Sequence, residues 1–505
     1  MSAGHPSKDF LDIISLVALP VGRNMAAQAL MVAGTASHVG KSWMATAICR
    51  HLRRRGLRVA PFKAQNMSLN SYVCRDGGEI GRAQVAQAEA CDLDPTTDMN
   101  PILLKSTSDV GSQVIVNGKV WKNLSAASYF REFDSLLKEV LAAYRRLASE
   151  FDFVVLEGAG GVAELNLRER DLVNLPLATQ LDVPALLVAD IDRGGVFASI
   201  VGTCGLLEPD ERSRVRSFAV NRFRGDPGLF ESGRTMLEER ADKPCLGVFP
   251  FAPDIHLDEE DAVSLDDRPR GQPADGELDI AIVRLPYISN FTDFRLLTTA
   301  RYLVEPTVDA PDIIILPGSK NTVTDLRWLH DSGLAQWILD CHATQSAVWG
   351  VCGGYQMLGR EVRDPHGVES RLGAAQGLAL IDSETTLLAN KTTKAVAARS
   401  AAGDVAFAAY EIHMGETRQS FELPPFAFVE NEPEGINANG VVGTYLHGAL
   451  ESPKLLTRLL GDVAKRRGKC PPAVQALPKA EHYDRLADWF EQSADIALFE
   501  ELYLR

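Results

Sequence analysis

Cys352 stands in the string Val348-Trp349-Gly350-Val351-Cys352-Gly353-Gly354-Tyr355-Gln356-Met357-Leu358. Val348 to Val351 read as the end of a buried strand, and Met357-Leu358 as the start of a helix. A nucleophile at such an elbow is presented above the sheet edge. The glycines at 350, 353 and 354 would let the backbone take strained angles without a Cβ clash. A helix N-terminus behind the sulfur favours the thiolate, the reactive form of cysteine. A thiolate nucleophile calls for a histidine distant in sequence and adjacent in the fold. His447 ends the short apolar run Gly443-Thr444-Tyr445-Leu446 and is the expected base. His413 is a rival imidazole, ranked lower because it precedes the expected final strand. The competing readings are a buried structural cysteine and a structural histidine.

The oxyanion formed when such a cysteine attacks an amide needs backbone N–H donors. Gly353 is one candidate. Gly318, in the loop Leu316-Pro317-Gly318-Ser319-Lys320 after the strand Ile313-Ile314-Ile315, is the other. Position 449, two residues after the histidine, is alanine, and the next carboxylate, Glu451, is four residues away. A Cys–His pair with a weak or displaced third member is therefore expected.

A second set of residues is suited to phosphate. The apolar strand Ala29-Leu30-Met31-Val32-Ala33 runs into Gly34-Thr35-Ala36-Ser37-His38-Val39-Gly40-Lys41-Ser42, and a helix follows from Trp43 to Arg54. Loop amides and the helix dipole hold phosphate oxygens, Lys41 pairs with the β/γ-phosphates, and Ser42 can ligate Mg²⁺. Gly34, Thr35, Gly40, Lys41 and Ser42 are the expected ATP-binding residues. Ligands of a parallel α/β sheet lie outside the carboxyl ends of its strands. That rule aims Lys63 and the polar run with Gln65, Asn66 and Ser68 at the site, where they are expected to contact substrate. Phe153-Val154-Val155-Leu156 ends in Glu157 beside glycines, a placement suited to holding Mg²⁺. Pro184-Ala185-Leu186-Leu187-Val188 leads to Asp190, Asp192 and Arg193. These could contact metal or substrate carboxylates, or one aspartate could cap the helix from Val196. Asn221 closes another strand and is placed to read a base edge.

Elements to position these groups alternate as strand and helix, which defines an α/β chain with two doubly wound domains. The 505 residues suggest two to four domains. The expected division is an extension at 1–27, a phosphate-loop unit at 28–258, an acidic Pro/Gly-bearing linker at 259–277, a second α/β unit at 278–458 and a helical tail at 459–505. An apolar content of 46% supports large cores, and a net charge of -15 argues against nucleic acid or an anionic membrane as partner. The 8 cysteines are scattered without a CxxC pair, so neither a disulfide framework nor a zinc cluster is indicated, and a reducing cytoplasm is expected. The apolar run Leu11 to Val21 is broken by Asp12 and Pro20 and is too short to span a bilayer. No internal repeat is visible.

The cysteine string resembles the nucleophile motif of triad-type glutamine amidotransferases, which release ammonia from glutamine through a thioester. The phosphate loop has five residues between Gly34 and Gly40, one more than usual, and resembles that of dethiobiotin synthetase and the cobyrinate amidases. Ala36 stands where ParA/MinD-type ATPases carry a signature lysine. Phe62-Lys63-Ala64-Gln65-Asn66-Met67-Ser68-Leu69-Asn70-Ser71 is similar to the signature of the cobyric acid synthase family. So are Asp76 to Gln84, Met99 to Lys105, Gly111 to Val114, and Tyr410-Glu411-Ile412-His413-Met414-Gly415. Ala64 replaces a usual proline, His38 a usual acidic residue, and Gly161-Val162 a usual Ser-Pro.

The resemblance implies glutamine-dependent, ATP-driven amidation of the b, d, e and g carboxylates of adenosylcobyrinic acid a,c-diamide through acyl phosphates. It also supports Mg²⁺ binding at Glu157. ATP, glutamine and a corrinoid are the implied small-molecule partners, with Mg²⁺ accompanying ATP and no tightly bound cofactor. The alternatives are an a,c-diamide synthase, a cytidine triphosphate synthase, and a regulatory phosphate-loop ATPase with an inactive amidotransferase domain. The sequence does not define an oligomeric state.

Overall fold

In the computed structural model, residues 27–108, 111–255, 257, 273–420, 422–474 and 478–504 are described. The expected extension, but for residue 27, and the linker from 259 to 272 lie outside them. The first unit runs in order β1 (Gln28–Gly34), α1 (Lys41–Arg54), β2 (Val59–Phe62), β3 (Gln65–Met67), β4 (Ser71–Val73), β5 (Glu79–Gly81), β6 (Ile102–Ser108), β7 (Gly111–Val116), β8 (Lys119–Ser125), α2 (Phe133–Glu150), β9 (Phe153–Glu157), β10 (Ala185–Asp190), β11 (Val215–Phe223) and β12 (Cys245–Pro250). Its main sheet has the order β12-β11-β10-β1-β9-β2, and every pairing is parallel. Helices cover both faces, so its central strands are apolar throughout instead of alternating. Leu30, Met31, Val154, Val155, Leu186 and Leu187 are all fully buried.

Register aligns the site. Gly34 pairs with Val188 of β10, and Val32 pairs with Glu157 of β9. The loop after β1 and the carboxylate ending β9 therefore share one sheet edge. A smaller sheet, β3-β6-β7-β8, stands at that edge.

The second unit runs β13 (Ile280–Val283), β14 (Ile288–Ser289), β15 (Arg301–Leu303), β16 (Ile313–Leu316), β17 (Gly318–Ser319), β18 (Ala347–Val351), α3 (Gly353–Leu358), β19 (Glu361–Arg363), β20 (Ala374–Gln376), β21 (Ser383–Ser400), β22 (Ala406–Gln419), β23 (Ala427–Val429), β24 (Glu432–Glu434), β25 (Ile436–Ala438), β26 (Val441–Thr444) and α4 (Pro453–Arg467). Its core sheet is β15-β13-β16-β18-β26-β25, parallel except at the β25–β26 edge. The unit also carries a feature not anticipated from its pattern. The long antiparallel pair β21–β22 organises a separate mixed sheet against this core.

The chain end differs from the expected tail. Residue 459 falls inside α4, which buries Leu455, Leu456, Leu459 and Leu460 in the second unit's core. The last helices, α5 (Lys479–Ser493) and α6 (Ile496–Tyr503), return to the first unit. The Trp489 ring meets Trp43 edge-on at 6.1 Å, and its indole N–H donates to the Pro250 carbonyl at 2.8 Å. Phe490 and Phe499 are fully buried against α1. These helices complete a layer of the first sheet because their apolar faces have that surface to cover.

Candidate active site

Cys352 follows β18 with φ 52 and ψ -108, so the nucleophile itself holds the strained left-handed backbone. Its N–H donates to the Thr444 carbonyl at 2.7 Å, which ties the elbow to the end of β26. Gly350, Gly353 and Gly354 are not among the residues with positive φ. The strained angles expected of them belong to the cysteine, and the glycines serve close approach instead. A Cβ on Gly354 would lie 2.0 Å from the Leu316 carbonyl oxygen. That contact seats the first turn of α3 on the end of β16.

His447 follows β26 and exchanges backbone hydrogen bonds with Tyr410, whose ring stacks on the imidazole at 5.4 Å between centroids. The third member of the constellation is Asp293. Its Oδ2 lies 2.7 Å from His447 Nδ1, and its Oδ1 accepts the Gly448 N–H at 2.7 Å. Asp293 sits in the short turn Phe291–Phe294 before β15, 154 residues upstream of the histidine. It belongs to the string Pro286 to Phe294. Nothing local marks it, because its partner is a product of the fold. Glu451 is committed elsewhere, pairing with Arg82 and Arg295 at 2.8 Å each.

Burial alone would lower the His447 pKa, but Asp293 and the adjoining Cys352 sulfur outweigh it and hold the pKa above its ordinary value. The imidazolium is thus favoured beside the sulfur. His413 is engaged away from it: its ring nitrogens meet the Gly415 carbonyl at 2.8 Å and the Glu411 carboxylate at 3.3 Å. The remaining pieces close around the nucleophile. A Cβ on Gly318 would be 3.1 Å from His447 Cε1, and one on Gly353 would be 2.8 Å from the Ser319 amide nitrogen. Both expected oxyanion glycines therefore lie in the Cys352–His447 neighbourhood.

In the first unit, Gly40, Lys41, Ser42, Lys63, Asn66 and Glu157 line one cavity of about 470 Å³. Gly40 has φ 96, and Lys41 Nζ is held by the carbonyls of Ala36 at 3.0 Å and Gly160 at 2.8 Å. Ser42 donates to Glu157 at 2.9 Å, and Lys63 pairs with the same carboxylate at 3.0 Å. Burial opposes ionisation of Glu157, yet Lys63 and the donors Gln87 and Ser42 keep its pKa below the ordinary value. A hydroxyl and an ionised carboxylate in contact at the foot of a phosphate loop fit a divalent cation that takes its other ligands from phosphate and water.

Several expected contacts fall outside that cavity. Gly34 and Thr35 complete the strand end, with the Thr35 N–H on the Val188 carbonyl at 3.0 Å. The Asn221 amide is engaged by backbone at both atoms: its Nδ2 donates to the Val39 carbonyl at 2.8 Å and its Oδ1 accepts the Arg222 N–H. It pins the phosphate loop from below. Asp190 accepts the Asp192 N–H at 2.8 Å and pairs with Arg222 at 3.1 Å, so it caps a turn and does not join Ser42 and Glu157. Asp192 pairs with Arg224, and the Arg193 side chain is 67% exposed. Neither reaches the cavities described here, because the turn after β10 points them outward. Ser68 closes a local turn through the Asn70 carbonyl.

Gln65 lines a second, more apolar cavity of about 540 Å³, together with Leu104, Val114, Tyr129, Phe130 and Arg170. Met67, Ala159 and Gly160 line both this cavity and the one at the phosphate loop, so the two adjoin.

Residues 30–264 match the family model of the CobQ/CobB/MinD/ParA nucleotide-binding domain, and residues 279–455 match that of the CobB/CobQ-like glutamine amidotransferase domain. The class is thus a phosphate-loop α/β unit joined to a glutamine amidotransferase unit. Among curated relatives, the cobyric acid synthase of Limosilactobacillus reuteri is 44% identical, covering 95% of this chain and 99% of its own. Those of Syntrophobacter fumaroxidans and Sorangium cellulosum are 45% and 46% identical, covering 93% and 95% of this chain and 97% and 99% of their own. The chain belongs to the cobyric acid synthase family. A solved glutamine amidotransferase overlaps 37% of the chain at 16% identity with a TM-score of 0.30. Among the described residues, no helix is long and apolar enough to cross a membrane.

Proposed function

We propose that the chain is a glutamine-dependent carbon–nitrogen ligase that converts adenosylcobyrinic acid a,c-diamide to cobyric acid, amidating the b, d, e and g carboxylates at the expense of ATP. The observation that carries this reading is the pairing of two complementary centres in one chain. Cys352, His447 and Asp293 form one, and Lys41, Ser42 and Glu157 form the other.

A carboxylate accepts ammonia poorly, so it must first be activated. The corrinoid carboxylate oxygen attacks the γ-phosphorus of ATP, ADP departs, and an acyl phosphate forms. Lys41 and the loop amides neutralise the charge of the transferring group. Mg²⁺, held by Ser42 and Glu157, would add to that neutralisation. The apolar cavity beside Gly160 suits the face of a large macrocycle, with Arg170 and Gln65 available for its polar side chains.

In the second unit, Cys352 Sγ attacks the glutamine amide carbon. The oxyanion forms beside the Gly318 and Gly353 backbone. His447 gives its Nε2 proton to the departing ammonia, then takes one from the water that cleaves the thioester to glutamate. Asp293 holds the ring so that Nε2 faces the sulfur, as the carboxylate of a catalytic triad does. Ammonia then displaces phosphate from the acyl phosphate and leaves the amide.

Mass spectrometry of corrinoids incubated with the protein, Mg²⁺-ATP and glutamine tests the assignment. Four successive amidations of the a,c-diamide are expected, with the parent acid little changed. Two amidations of the parent acid would move the chain to the preceding step. Cys352→Ala should abolish glutamine-driven amidation and spare ammonia-driven amidation, whereas Lys41→Ala should abolish both. Glutamine-driven turnover in Cys352→Ala would remove the thioester route.

A further inference from the structure

The cavity that holds Cys352 and His447 is lined by more charge than the thioester chemistry uses. Lys105, Lys320, Lys391 and Glu369 all face it. Lys105 is 3% exposed, Lys320 7%, and the Lys391 side chain 8%. Glu79, 1% exposed, stands behind them and pairs with both Lys105 and Lys391. Three ammonium groups against two carboxylates leave one positive charge in excess. The ammonium of Lys320 has no ion pair or hydrogen bond to any of the described residues. Burial lowers the Lys320 pKa, with Glu369 the carboxylate that counters it most, so an anion entering the cavity would favour its charged form.

Lys105 does not belong to the unit that carries the cysteine. It lies on β6 of the first unit and also donates to Ser71 Oγ at 2.7 Å. Its neighbours Leu104 and Ser106 line the apolar cavity on the other side of the strand, because successive residues of a strand face opposite ways. One strand thickness separates the two cavities here, and each face of β6 contributes to one of them.

We propose that the amino-acid head of glutamine is bound across the boundary between the units, its α-carboxylate by Lys105 with Lys320 and Lys391, and its α-ammonium by Glu369. This rests on the proposed glutamine-dependent reaction and extends it to substrate recognition. The three lysines supply the excess positive charge that a carboxylate balances. Glu369 accepts the Thr322 N–H at 2.9 Å through Oε2, which fixes its carboxylate at the cavity wall, where it can accept from an ammonium. Glutamine carries both charges on one carbon, and its amide is the group that Cys352 must reach. Lys105 is then a specificity residue from the synthetase unit, and the glutamine pocket is incomplete without that unit.

The experiment uses the full chain with saturating Mg²⁺-ATP and corrinoid, and follows both glutamate release and amide formation. Lys105→Met should raise the KM for glutamine about tenfold or more, the loss expected of one charged hydrogen bond. The KM for ATP and the ammonia-driven rate should stay within about twofold of wild type. Wild type should prefer glutamine over 4-aminobutanamide, which lacks the α-carboxylate, and over glutaramate, which lacks the α-ammonium. Lys105→Met should narrow the first preference and leave the second. Lys320→Met, read the same way, decides the matter should Lys105→Met fail to fold. Wild-type glutamine KM in the folded variants would overturn the inference, as would equal use of glutamine and 4-aminobutanamide by wild type. Failure of wild type to amidate a corrinoid with either glutamine or ammonia would instead reject the reaction on which the inference rests.

Discussion

Asp293 uses both carboxylate oxygens on one short segment, taking the His447 ring with one and the Gly448 N–H with the other. The first bond sets the ring tautomer, and the second holds the backbone from which the ring hangs. Asp293→Asn keeps the size of the side chain and removes its charge. The comparable change in a serine protease triad lowers kcat by about 10⁴, so glutamine-driven amidation should fall by a factor on the order of 10³–10⁴, with ammonia-driven amidation unchanged. The pH dependence has a definite sign. A negative neighbour raises the His447 pKa, so the imidazolium that donates to departing ammonia persists above the ordinary value of 6.5. Losing Asp293 lowers that pKa, and the alkaline limb of glutamate release should shift downward in pH. The same linkage gives the folded state stability that is complete below about 6.5 and is lost as pH rises through the folded pKa. A profile of glutamate release with an unmoved alkaline limb would separate Asp293 from the titration of His447. Cys352 and His447 were legible because each is flanked by glycines at a strand end. Asp293 was not, since only the docking of the turn Phe291–Phe294 against the end of β26 makes it a partner.

The elbow shows how little of a motif's meaning is local. Gly350-Val351-Cys352-Gly353-Gly354 reads as a flexible turn, yet φ is positive only at the cysteine. Gly354 is required by the backbone of another element, since its Cβ would meet the Leu316 carbonyl at 2.0 Å. That carbonyl cannot retreat without pulling β16 out of register with β18. Gly354→Ala should therefore cost about 1–3 kcal/mol, the usual penalty of overpacking, and lower glutamine-driven turnover as α3 lifts away. Thermal unfolding together with glutamate release checks it, and a variant with wild-type melting and turnover would show that β16 yields freely. Strand-level legibility follows the same division. Buried apolar runs such as Ile313-Ile314-Ile315 declared themselves as strands of a parallel sheet. The pair β21–β22 alternates buried and exposed residues, and only its partner strands say which sheet it joins. The helical nature of the chain end was readable too, but the return of α5 to α1 depends on which apolar face is still uncovered.

At the scale of the whole molecule, the two centres must exchange ammonia without losing it to water, and the contacts between the units combine a small apolar cluster, Val73 and Tyr72 against Tyr410 and Ile412, with polar bonds. Ser71 donates its N–H to Asn290 Oδ1 at 3.1 Å, the Tyr410 hydroxyl donates to the Ser71 carbonyl at 3.3 Å, and Asn321 donates to the Thr107 carbonyl at 3.2 Å. Interfaces between domains of one chain resemble transient ones and separate readily unless something holds them. Glu451 is well placed to hold this one. Its carboxylate bridges Arg82 of the first unit, 2% exposed, and Arg295 of the second. Arg82 also lies 5.3 Å from the centre of the Tyr72 ring, so its charge is enclosed on several sides. Removing one member of a buried ionic set leaves uncompensated charge and typically costs about 3–5 kcal/mol. In Glu451→Gln that cost falls on the closed arrangement of the units, because both guanidinium groups regain water when the interface opens. Cys352, His447 and Asp293 are untouched, so glutamine hydrolysis should continue while ammonia escapes before reaching the acyl phosphate. Wild type should release one glutamate per amide formed, and Glu451→Gln should release clearly more at a reduced amidation rate. Saturating ammonium should restore amidation in the variant, since supply from solution bypasses the passage. A ratio that stays at one would mean that the interface is sealed by its other contacts, the Glu79–Lys391 pair and the hydrogen bonds around Ser71 and Asn290, without help from the Arg82–Glu451–Arg295 bridge.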